Sequence, residues 1–475
     1  MAPHTAWAQA QSPASDENAA PESAPPNEAA ALAEPAPSDE AAAPPDPAHA
    51  DEAAAPSKPV GETVEAVDPV AVAPPPPATE AGPEIAAPLA KSETPAPPPF
   101  EVSGAPGKGL TLKVGDTFSL NLKSRIQLRY QLHIPQAEDG AARQLDQLVT
   151  VGTLRLYFSG NIFTPALTYM IQLALAARDY RDQAISPVYD AYLDYAVHRD
   201  LHVRAGQYFV PFDRLRTVRE FALQMTDRPR PVAEFTLDRD VGITSYSESF
   251  LGDHSPLAWR VGVFGGGGNN LTTSKKPGAL VVGRVELRPF GAMDDDQEGD
   301  LERRVTPGLA IGTGFAANYN TNRLRSTTGA TFQGGTTDYR HAAADLVFKW
   351  RGWALQAEYL RKQASADTII STDAEGDPLV EYTRSGQGWV VQTSYTFDPP
   401  FELVARVSRM YAFAGTDPTL VTEVEDYGQE LGAGLNYYLN GHRMKVQTDW
   451  IARMPYNFNM QAADQVVRAQ LDVTF

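Results

Sequence analysis

The sequence predicts an all-β protein: a transmembrane antiparallel β-barrel of about 16 strands, preceded by a disordered, acidic N-terminal tail rich in Pro and Ala. Three observations support this fold class. Apolar and polar side chains alternate with a period of two, the alternation recurs along the chain, and the composition changes sharply near residue 105. A period of two is typical of strands, because successive side chains of a strand point to opposite faces of the sheet.

The alternation is clearest in FSLNLKSRIQLRYQLHI, residues 118–134. Eight of its nine even-numbered residues are apolar, and none of its odd-numbered residues is apolar. At 17 residues the stretch is much longer than the ~5–6 residues of an average strand in a globular protein. We expect its apolar face to meet lipid and its polar face, which carries three cations, to meet water.

Similar stretches follow to the C terminus, and no helical pattern of comparable quality interrupts them. No apolar run approaches the ~18 residues of a membrane-spanning helix, whereas a barrel strand needs only ~9–11 residues, half of them apolar. Together with 118–134, the predicted strands are 154–159, 166–175, 189–197, 201–209, 240–246, 258–264, 280–288, 309–319, 343–351, 353–362, 389–397, 401–410, 430–439, 442–452 and 466–475.

The connections are of two kinds, as in outer-membrane barrels, which have short turns at one rim and long loops at the other. A soluble β-sandwich would also alternate, but residues 110–475 contain no linker that could divide two such domains. Only a closed barrel removes the sheet edges whose backbone groups lipid cannot satisfy. Aromatic residues near strand ends are expected to form two interfacial girdles: Trp259, Trp350, Trp353, Trp389, Tyr437, Tyr438 and Trp450.

The N-terminal segment 1–105 differs in composition from the body at 110–475. The first hundred residues hold 23 of the 39 prolines and sixteen acidic residues against two basic ones, so they cannot bury enough apolar surface to order themselves. Residues 8–10 have the A-x-A form of a signal-peptidase site, which is either a processing remnant or a chance match in an Ala-rich segment. The absence of cysteine excludes disulfides and thiolate metal sites.

Three stretches resemble the phosphate-selective porin O/P family: TLRLYFSGNIFTPALTYMIQLAL at 153–175, DAYLDY at 190–195 and AGQYFVPF at 205–212. DRPRPVAEFTLDRDVGI at 227–243 continues the resemblance, which covers roughly 116–475. It implies a sixteen-stranded, trimeric barrel in the bacterial outer membrane that passes small anions such as phosphate or polyphosphate. The C-terminal Phe475 looks like the signal that outer-membrane proteins present to the barrel-assembly machinery.

The strand phase assigns charged residues to the lumen, where basic residues outnumber acidic ones by sixteen to eight. An ion in a narrow pore responds to this local lining, and the planar fork of Arg suits phosphate and carboxylate oxygens. The alternative is that these Arg residues and acids pair with one another and stiffen the wall. Candidate pore-lining and anion-binding residues are Lys123, Arg125, Arg129, Arg155, Arg204, Arg214, Arg216, Arg219, Arg260 and Arg284.

The segment 211–240 separates two short predicted strands and holds six arginines and six acids. The resemblance implies that it folds inward and constricts the pore, although its arginines could equally pair with acids at the wall. Two other motifs are weak. GGGGNN at 265–270 lacks the G-K-[ST] of a phosphate loop, and the acidic run at 294–299 lacks the closing Glu of a calcium loop, so we expect a flexible loop and a solvated turn.

The function predicted from the sequence is passive diffusion of small anions through an outer-membrane porin. We expect no cofactor, metal, catalytic residue or nucleic-acid partner, because the eight histidines are scattered and no nucleophile–base pair is evident. The expected partners are small anions, outer-membrane lipid, the barrel-assembly machinery and two further copies of the chain. The alternative is a structural barrel whose acidic, Pro-rich arm lies in the periplasm and ties the envelope to a partner there.

Overall fold

The computed structural model describes residues 99–475, except 137–143, 181–185, 253–254, 270–276, 295, 374–375 and 399–400. The predicted disordered tail therefore lies outside the described residues up to residue 98, as does the A-x-A motif at 8–10. No helix in the described part of the chain is long and apolar enough to cross a membrane.

Sixteen strands form one closed antiparallel barrel, in which each strand pairs with the next and the last pairs with the first. They confirm the predicted fold class, and every predicted strand is present. The barrel strands are β3 (Phe118–Ile134), β4 (Asp146–Ile162), β5 (Thr164–Ala174), β6 (Val188–His198), β7 (Leu201–Phe209), β8 (Arg239–Ser247), β9 (Leu257–Phe264), β10 (Ala279–Leu287), β11 (Gly308–Thr321), β12 (Thr337–Trp350), β13 (Trp353–Ala364), β16 (Gly386–Thr396), β17 (Phe401–Ala412), β18 (Gln429–Tyr438), β19 (Met444–Met454) and β20 (Asp464–Thr474).

Two hairpins and six short helices complete the described elements. They are β1 (Phe100–Ala105) with β2 (Gly109–Val114), β14 (Thr368–Thr372) with β15 (Pro378–Tyr382), the α-helices α1 (Arg214–Thr217), α2 (Arg230–Phe235) and α3 (Pro418–Tyr427), and the 3-10 helices Ala177–Tyr180, Glu220–Ala222 and Met460–Ala462. Strand β2 pairs with the first residues of β3, Leu110 opposite Leu122, and so extends the barrel wall. Strand pairing thus begins at Phe100, within the last residues of the segment 1–105, and β2 spans the predicted start of the barrel at 110.

The faces of the barrel follow the alternation. Outward side chains such as Leu128, Val263 and Phe315 are at least half exposed, while the polar side chains between them are buried in the lumen. Of the expected girdle residues, Trp353 and Tyr437 are exposed on the outside. Tyr438 does not belong to the outer girdle, because it follows Tyr437 on the strand and therefore faces the lumen. There its hydroxyl donates to Glu402 Oε2 at 2.6 Å.

The two rims differ in their connections. One rim, here called the terminal rim, carries both the β1–β2 hairpin and the C terminus, and its turns include Phe163 and 351–352. The opposite rim, here called the loop rim, carries the long connections, including 210–238 and 413–428. Short turns at one rim and long loops at the other are the usual construction of outer-membrane barrels.

The connection 210–238, here called the inward segment, runs into the lumen and packs against the wall. Phe212, Phe235 and Leu237 on it are fully buried. Glycines on the lumen face of the wall make room for it: a Cβ at Gly314 would lie 2.1 Å from the Phe212 carbonyl oxygen, and one at Gly388 would lie 2.8 Å from Pro231 Cβ. Only a residue without a side chain permits backbone and wall to approach this closely.

A second connection, the 288–307 turn between β10 and β11, enters the lumen from the terminal rim. The acidic run expected to form a solvated turn is instead partly buried: Glu298 Oε2 accepts from the backbone N–H of Gln224 at 2.7 Å, and Asp300 Oδ2 accepts from Gly352 N at 2.7 Å. The expectation for 294–299 was wrong at Glu298, because the backbone of the inward segment supplies the donor that water would otherwise supply. Asp300 lies just beyond that run, and the neighbouring turn supplies its donor in the same way.

Candidate functional site

The lumen has a filled sector and an unfilled one. In the filled sector, residues 223–226 of the inward segment contact strands β16 to β19. Gln224 Nε2 donates to Glu402 Oε1 at 2.6 Å, Thr226 N donates to Asp449 Oδ2 at 2.8 Å, and Lys445 Nζ donates to the Leu223 carbonyl at 2.8 Å. These contacts attach the inward segment to the wall on this side.

The unfilled sector is a cavity of about 720 Å³ against strands β6 to β10. The inward segment and the 288–307 turn form its other sides. Its ionisable side chains include six arginines and four carboxylates: Arg204, Arg214, Arg219, Arg260, Arg284, Arg288, Glu248, Glu286, Asp294 and Asp296. Three tyrosines, Tyr192, Tyr208 and Tyr246, also line it.

Arg204, on β7, lies among three tyrosine rings of the cavity lining. Its Nε donates to Asp194 Oδ2 at 2.7 Å, and its Nη2 donates to the Tyr246 hydroxyl at 3.3 Å. The guanidinium carbon lies 4.5 Å from the ring centre of Tyr192 and 5.5 Å from that of Tyr208. The guanidinium group is held in one orientation, yet 31% of the side chain stays exposed in the lumen.

Arg219 and Arg260 also present partly exposed guanidinium groups. Arg219, on the inward segment, donates through Nη1 to Asp190 Oδ2 at 2.8 Å and has 32% of its side chain exposed. Arg260, on β9, donates through Nη2 to Glu248 at 2.7 Å and has 21% of its side chain exposed. Both are fixed by one carboxylate and remain accessible from the cavity.

Arg214 and Arg284 are more deeply placed and share carboxylates. Arg284 Nη1 donates to Asp345 Oδ2 at 2.6 Å, and Arg214 Nε donates to Asp345 Oδ1 at 2.9 Å. Both also contact Glu286. This four-residue network attaches the start of the inward segment to strands β10 and β12.

Two carboxylates hold the N-terminus of α1, one from the inward segment itself and one from the wall. Asp213 accepts from Arg216 N at 2.7 Å and from the Thr236 hydroxyl, so it caps α1 and joins both ends of the inward segment. Glu358 Oε2 accepts from Leu215 N at 2.9 Å. Burial raises the pKa of the Asp213 carboxyl to about 6.

The other predicted residues lie outside the cavity. Arg125 forms a bidentate pair with Asp472 (2.9 and 2.5 Å), and Arg129 Nη1 donates to Asp227 Oδ1 at 3.1 Å. Arg155 pairs with Asp179 and Arg216 with Asp238. Lys123 lies where β3 meets the β1–β2 hairpin, opposite Tyr157 of β4.

Nine of the ten predicted pore residues thus contact a carboxylate, which is the wall-pairing arrangement considered above as the alternative. The count of sixteen cations to eight acids covered strand residues alone. It omitted the acids that the inward connections bring into the lumen, such as Asp227, Glu220 and Glu234. It also included Arg351 and Arg443, which lie on exposed turns.

Some lining residues were missed by sequence reasoning. Tyr192, Tyr208 and Tyr246 have the lumen phase of their strands, so the alternation could have identified them. Asp294, Asp296 and Gln297 could not be identified by phase, because they belong to a turn. The only available signal was the length of that turn, twenty residues at a rim of otherwise short connections. Among the described residues, no group of three His, Cys, Asp or Glu side chains could hold a metal ion.

Comparison with known proteins gives a family match and several structural likenesses. The family model for phosphate-selective porin O and P matches residues 121–475. An anion-selective porin from Comamonas acidovorans is 10% identical, with 75% of this chain and 99% of that chain covered and a TM-score of 0.45. OmpF of Salmonella typhi in complex with daunomycin is 15% identical, with 76% and 98% covered and a TM-score of 0.47. The outer-membrane channel DcaP of Acinetobacter baumannii is 14% identical, with 75% and 97% covered and a TM-score of 0.43. No curated protein sequence matches the chain.

Proposed function

The chain belongs to the phosphate-selective porin O and P family and is an outer-membrane porin, and from this premise we propose that its cavity passes small anions, phosphate among them. The observation that carries the proposal is which groups reach the cavity: six arginines and, among the described residues, four carboxylates line it. Three carboxylates that hold these arginines, Asp190, Asp194 and Asp345, do not line it. A solute inside a low-dielectric wall responds to the guanidinium groups that it meets and not to the net charge of −19 of the whole chain.

Arg204, Arg219 and Arg260 are the residues proposed to contact the passing anion. Each keeps part of its guanidinium group exposed while one carboxylate holds it in place. The planar guanidinium fork donates parallel hydrogen bonds to the oxygens of phosphate or of a carboxylate. Because the anion shares each guanidinium with a resident carboxylate, binding stays weak enough for release, as conduction requires.

The test is ion selectivity of the purified porin in a planar bilayer. With a KCl gradient, the reversal potential should indicate anion preference, and millimolar phosphate should reduce the chloride current. The triple substitution Arg204→Gln, Arg219→Gln and Arg260→Gln should weaken both effects, whereas Arg351→Gln on an exposed turn should leave them unchanged. Cation preference would refute the anion pore, and absence of phosphate block would leave a general anion pore.

We also propose that three copies assemble, that the terminal rim faces the periplasm and that the barrel-assembly machinery binds the C-terminal strand. Phe475 pairs through its backbone with Ser124 (2.7 and 2.9 Å), and its side chain is exposed in phase with the outward residues of β20. Light scattering of the purified protein would measure the number of copies. A Phe475→Ser substitution should lower the amount of folded barrel in the outer membrane.

The acidic, Pro-rich tail favours a second role, in which residues 1–98 lie in the periplasm and tie the barrel to a partner there. Its support is composition alone: sixteen acids and 23 prolines within the first hundred residues. Deletion of residues 11–90 should then weaken the attachment of the envelope without changing single-channel conductance. Unaltered envelope integrity would count against this role and would leave the porin proposal intact.

A further inference from the structure

Three arginines depart from the apolar pattern on the outer face of the barrel. Among the described residues of the barrel strands, Arg340, Arg361 and Arg409 are the only Arg or Lys side chains that have the outward phase and are not buried; Arg239, at the start of β8, has that phase but is buried against Asp190. Each stands between two buried residues of its strand, so its side chain points away from the lumen. We call these three residues the outer arginine patch.

The patch is compact and lies near the loop rim. Arg340 is three residues from the start of β12, and Arg361 and Arg409 are three residues from the ends of β13 and β17. In the register of the sheet, Arg361 is opposite Gln387 on β16, and Gln387 is opposite Tyr411 on β17. Arg340 is opposite Gln363 on β13, and Arg409 is opposite Trp389 on β16. The three arginines therefore lie on three of four neighbouring strands and within four residues of one another in register.

The surroundings of the patch differ from those of the lumen arginines. Arg361 Nη2 donates to Gln363 Oε1 at 3.0 Å, and its guanidinium carbon lies 5.0 Å from the ring centre of Phe413. The guanidinium of Arg409 stacks on Tyr456 at 3.9 Å. These contacts are with neutral groups, and in the described part of the chain no carboxylate pairs with any of the three guanidinium groups.

A charged side chain on the lipid-facing side of a barrel is tolerated near the membrane interface, because it reaches water and headgroups at that level. It is not tolerated at the centre of the membrane. Directly towards the centre of the wall, the outward residues are aromatic or apolar, for example Tyr359, Trp389 and Leu355. Aromatic rings of this kind mark the interface. The patch therefore stands at headgroup level, where phosphate is the abundant anion.

We propose that the outer arginine patch binds the phosphorylated headgroup of an anionic lipid in the leaflet around the loop rim. Guanidinium groups bind phosphate through paired hydrogen bonds, and three of them within four neighbouring strands can contact the phosphates of one headgroup. Gln363 and Gln387 lie between the arginines and add neutral hydrogen-bonding groups. The lipid of this chemistry in an outer-membrane leaflet is lipopolysaccharide.

A second copy of the chain fits the patch less well. To neutralise the patch, the wall of a neighbouring barrel would have to present carboxylates on its outer face. Among the described barrel strands, Asp338 is the only acid in the outward phase, and its Oδ1 already accepts from the backbone N–H of Asn320 at 2.8 Å. Barrel walls in contact would leave guanidinium groups without a counter-charge, which is unfavourable.

The experiment measures binding of purified lipopolysaccharide to the folded full-length protein in detergent, by native mass spectrometry or by a gel-shift titration. The test variant carries Arg340→Gln, Arg361→Gln and Arg409→Gln. A matched control removes three cations from the terminal rim: Lys108→Gln, Lys113→Gln and Arg351→Gln. Heat-modifiable migration on gels establishes that each variant is folded. A variant with Lys at all three patch positions tests whether positive charge suffices, and the single substitutions Arg340→Gln, Arg361→Gln and Arg409→Gln are measured separately if the triple Gln variant does not fold.

We expect the Gln variant to bind lipopolysaccharide about tenfold or more weakly, since one cation near an anionic membrane surface contributes roughly fivefold. The Lys variant should retain most of the affinity, the control should change less than about twofold, and added salt should weaken binding by the wild type. Equal affinity of the wild type and the Gln variant would overturn the proposal. So would equal weakening in the control, or loss of oligomers with lipid binding unchanged.

Discussion

The filled and unfilled sectors of the lumen use the same residue types in different ways. Beside the filled sector, Arg125 on β3 and Asp472 on β20 form a pair with almost no exposed surface, and Phe221 of the inward segment lies over the Arg125 guanidinium. In the unfilled sector, Arg260 and Glu248 form a pair of similar length, with 21% and 52% of their side chains exposed. Pairing therefore does not distinguish a structural arginine from one that can meet a solute. What distinguishes them is whether an inward connection covers the pair.

This difference predicts unequal stability effects, and the largest should come from the covered pair. Arg125→Ala should lower the free energy of unfolding by about 3–5 kcal/mol, because it leaves the Asp472 carboxylate buried without its partner. Arg260→Ala should cost less than about 1 kcal/mol, since water screens an exposed pair. Denaturant-induced unfolding from lipid vesicles measures both. Equal losses of unfolding free energy in the two variants would show that the inward segment does not shield the Arg125–Asp472 pair from water.

A pH effect should come from the anchor of the inward segment. Burial raises the pKa of Asp213 to about 6, so the folded state favours the protonated form. This contribution to stability is fully present below the ordinary pKa of Asp and is lost as the pH rises through about 6.

Asp213→Asn keeps the helix cap and removes the titration. The free energy of unfolding of this variant, measured from pH 4 to 7, should fall less steeply than that of the wild type. Identical slopes for the two proteins would show that Asp213 is not a source of the pH dependence.

A smaller effect is expected where the inward segment touches the wall. A Cβ at Gly314 would lie 2.1 Å from the Phe212 carbonyl oxygen, so Gly314→Ala should displace the segment at a cost of about 1–3 kcal/mol and change the conductance. Gly283→Ala is the matched control, since a Cβ there has no neighbour within 4 Å. Single-channel recording compares the two variants, and unchanged conductance in both would place the Gly314 contact outside the conducting path.

The smallest effect should be on selectivity. Arg260→Gln removes one of six cavity arginines and should lower the chloride-to-potassium permeability ratio by about twofold or less, without changing the fold. Reversal potentials in a KCl gradient measure it. A change of equal size in Arg351→Gln, on an exposed turn, would mean that the cavity lining is not what selects the ion.

Much of the site was accessible to sequence reasoning because strand phase is a local property. Arg204, Arg260 and Arg284 were placed in the lumen by phase, and they do line the cavity. Arg125, Arg129 and Arg155 have the same phase and yet lie outside it, because phase gives the face of the wall but not what covers that face. The connection 288–307 is not a strand and has no alternation of faces, so its entry into the lumen could not be predicted.

The sequence by itself determined the sixteen strands, their outward apolar faces and the family, since a period of two needs only neighbouring residues. The tertiary structure decided which carboxylate meets each arginine and which sector of the lumen stays unfilled. Arg125 and Asp472 are 347 residues apart in the chain, and they meet only because β20 closes the barrel on β3. Contacts of this kind depend on the register of the complete sheet and on two connections that fold into it. The local pattern of residues around an arginine contains neither the register of the complete sheet nor the path of these two connections.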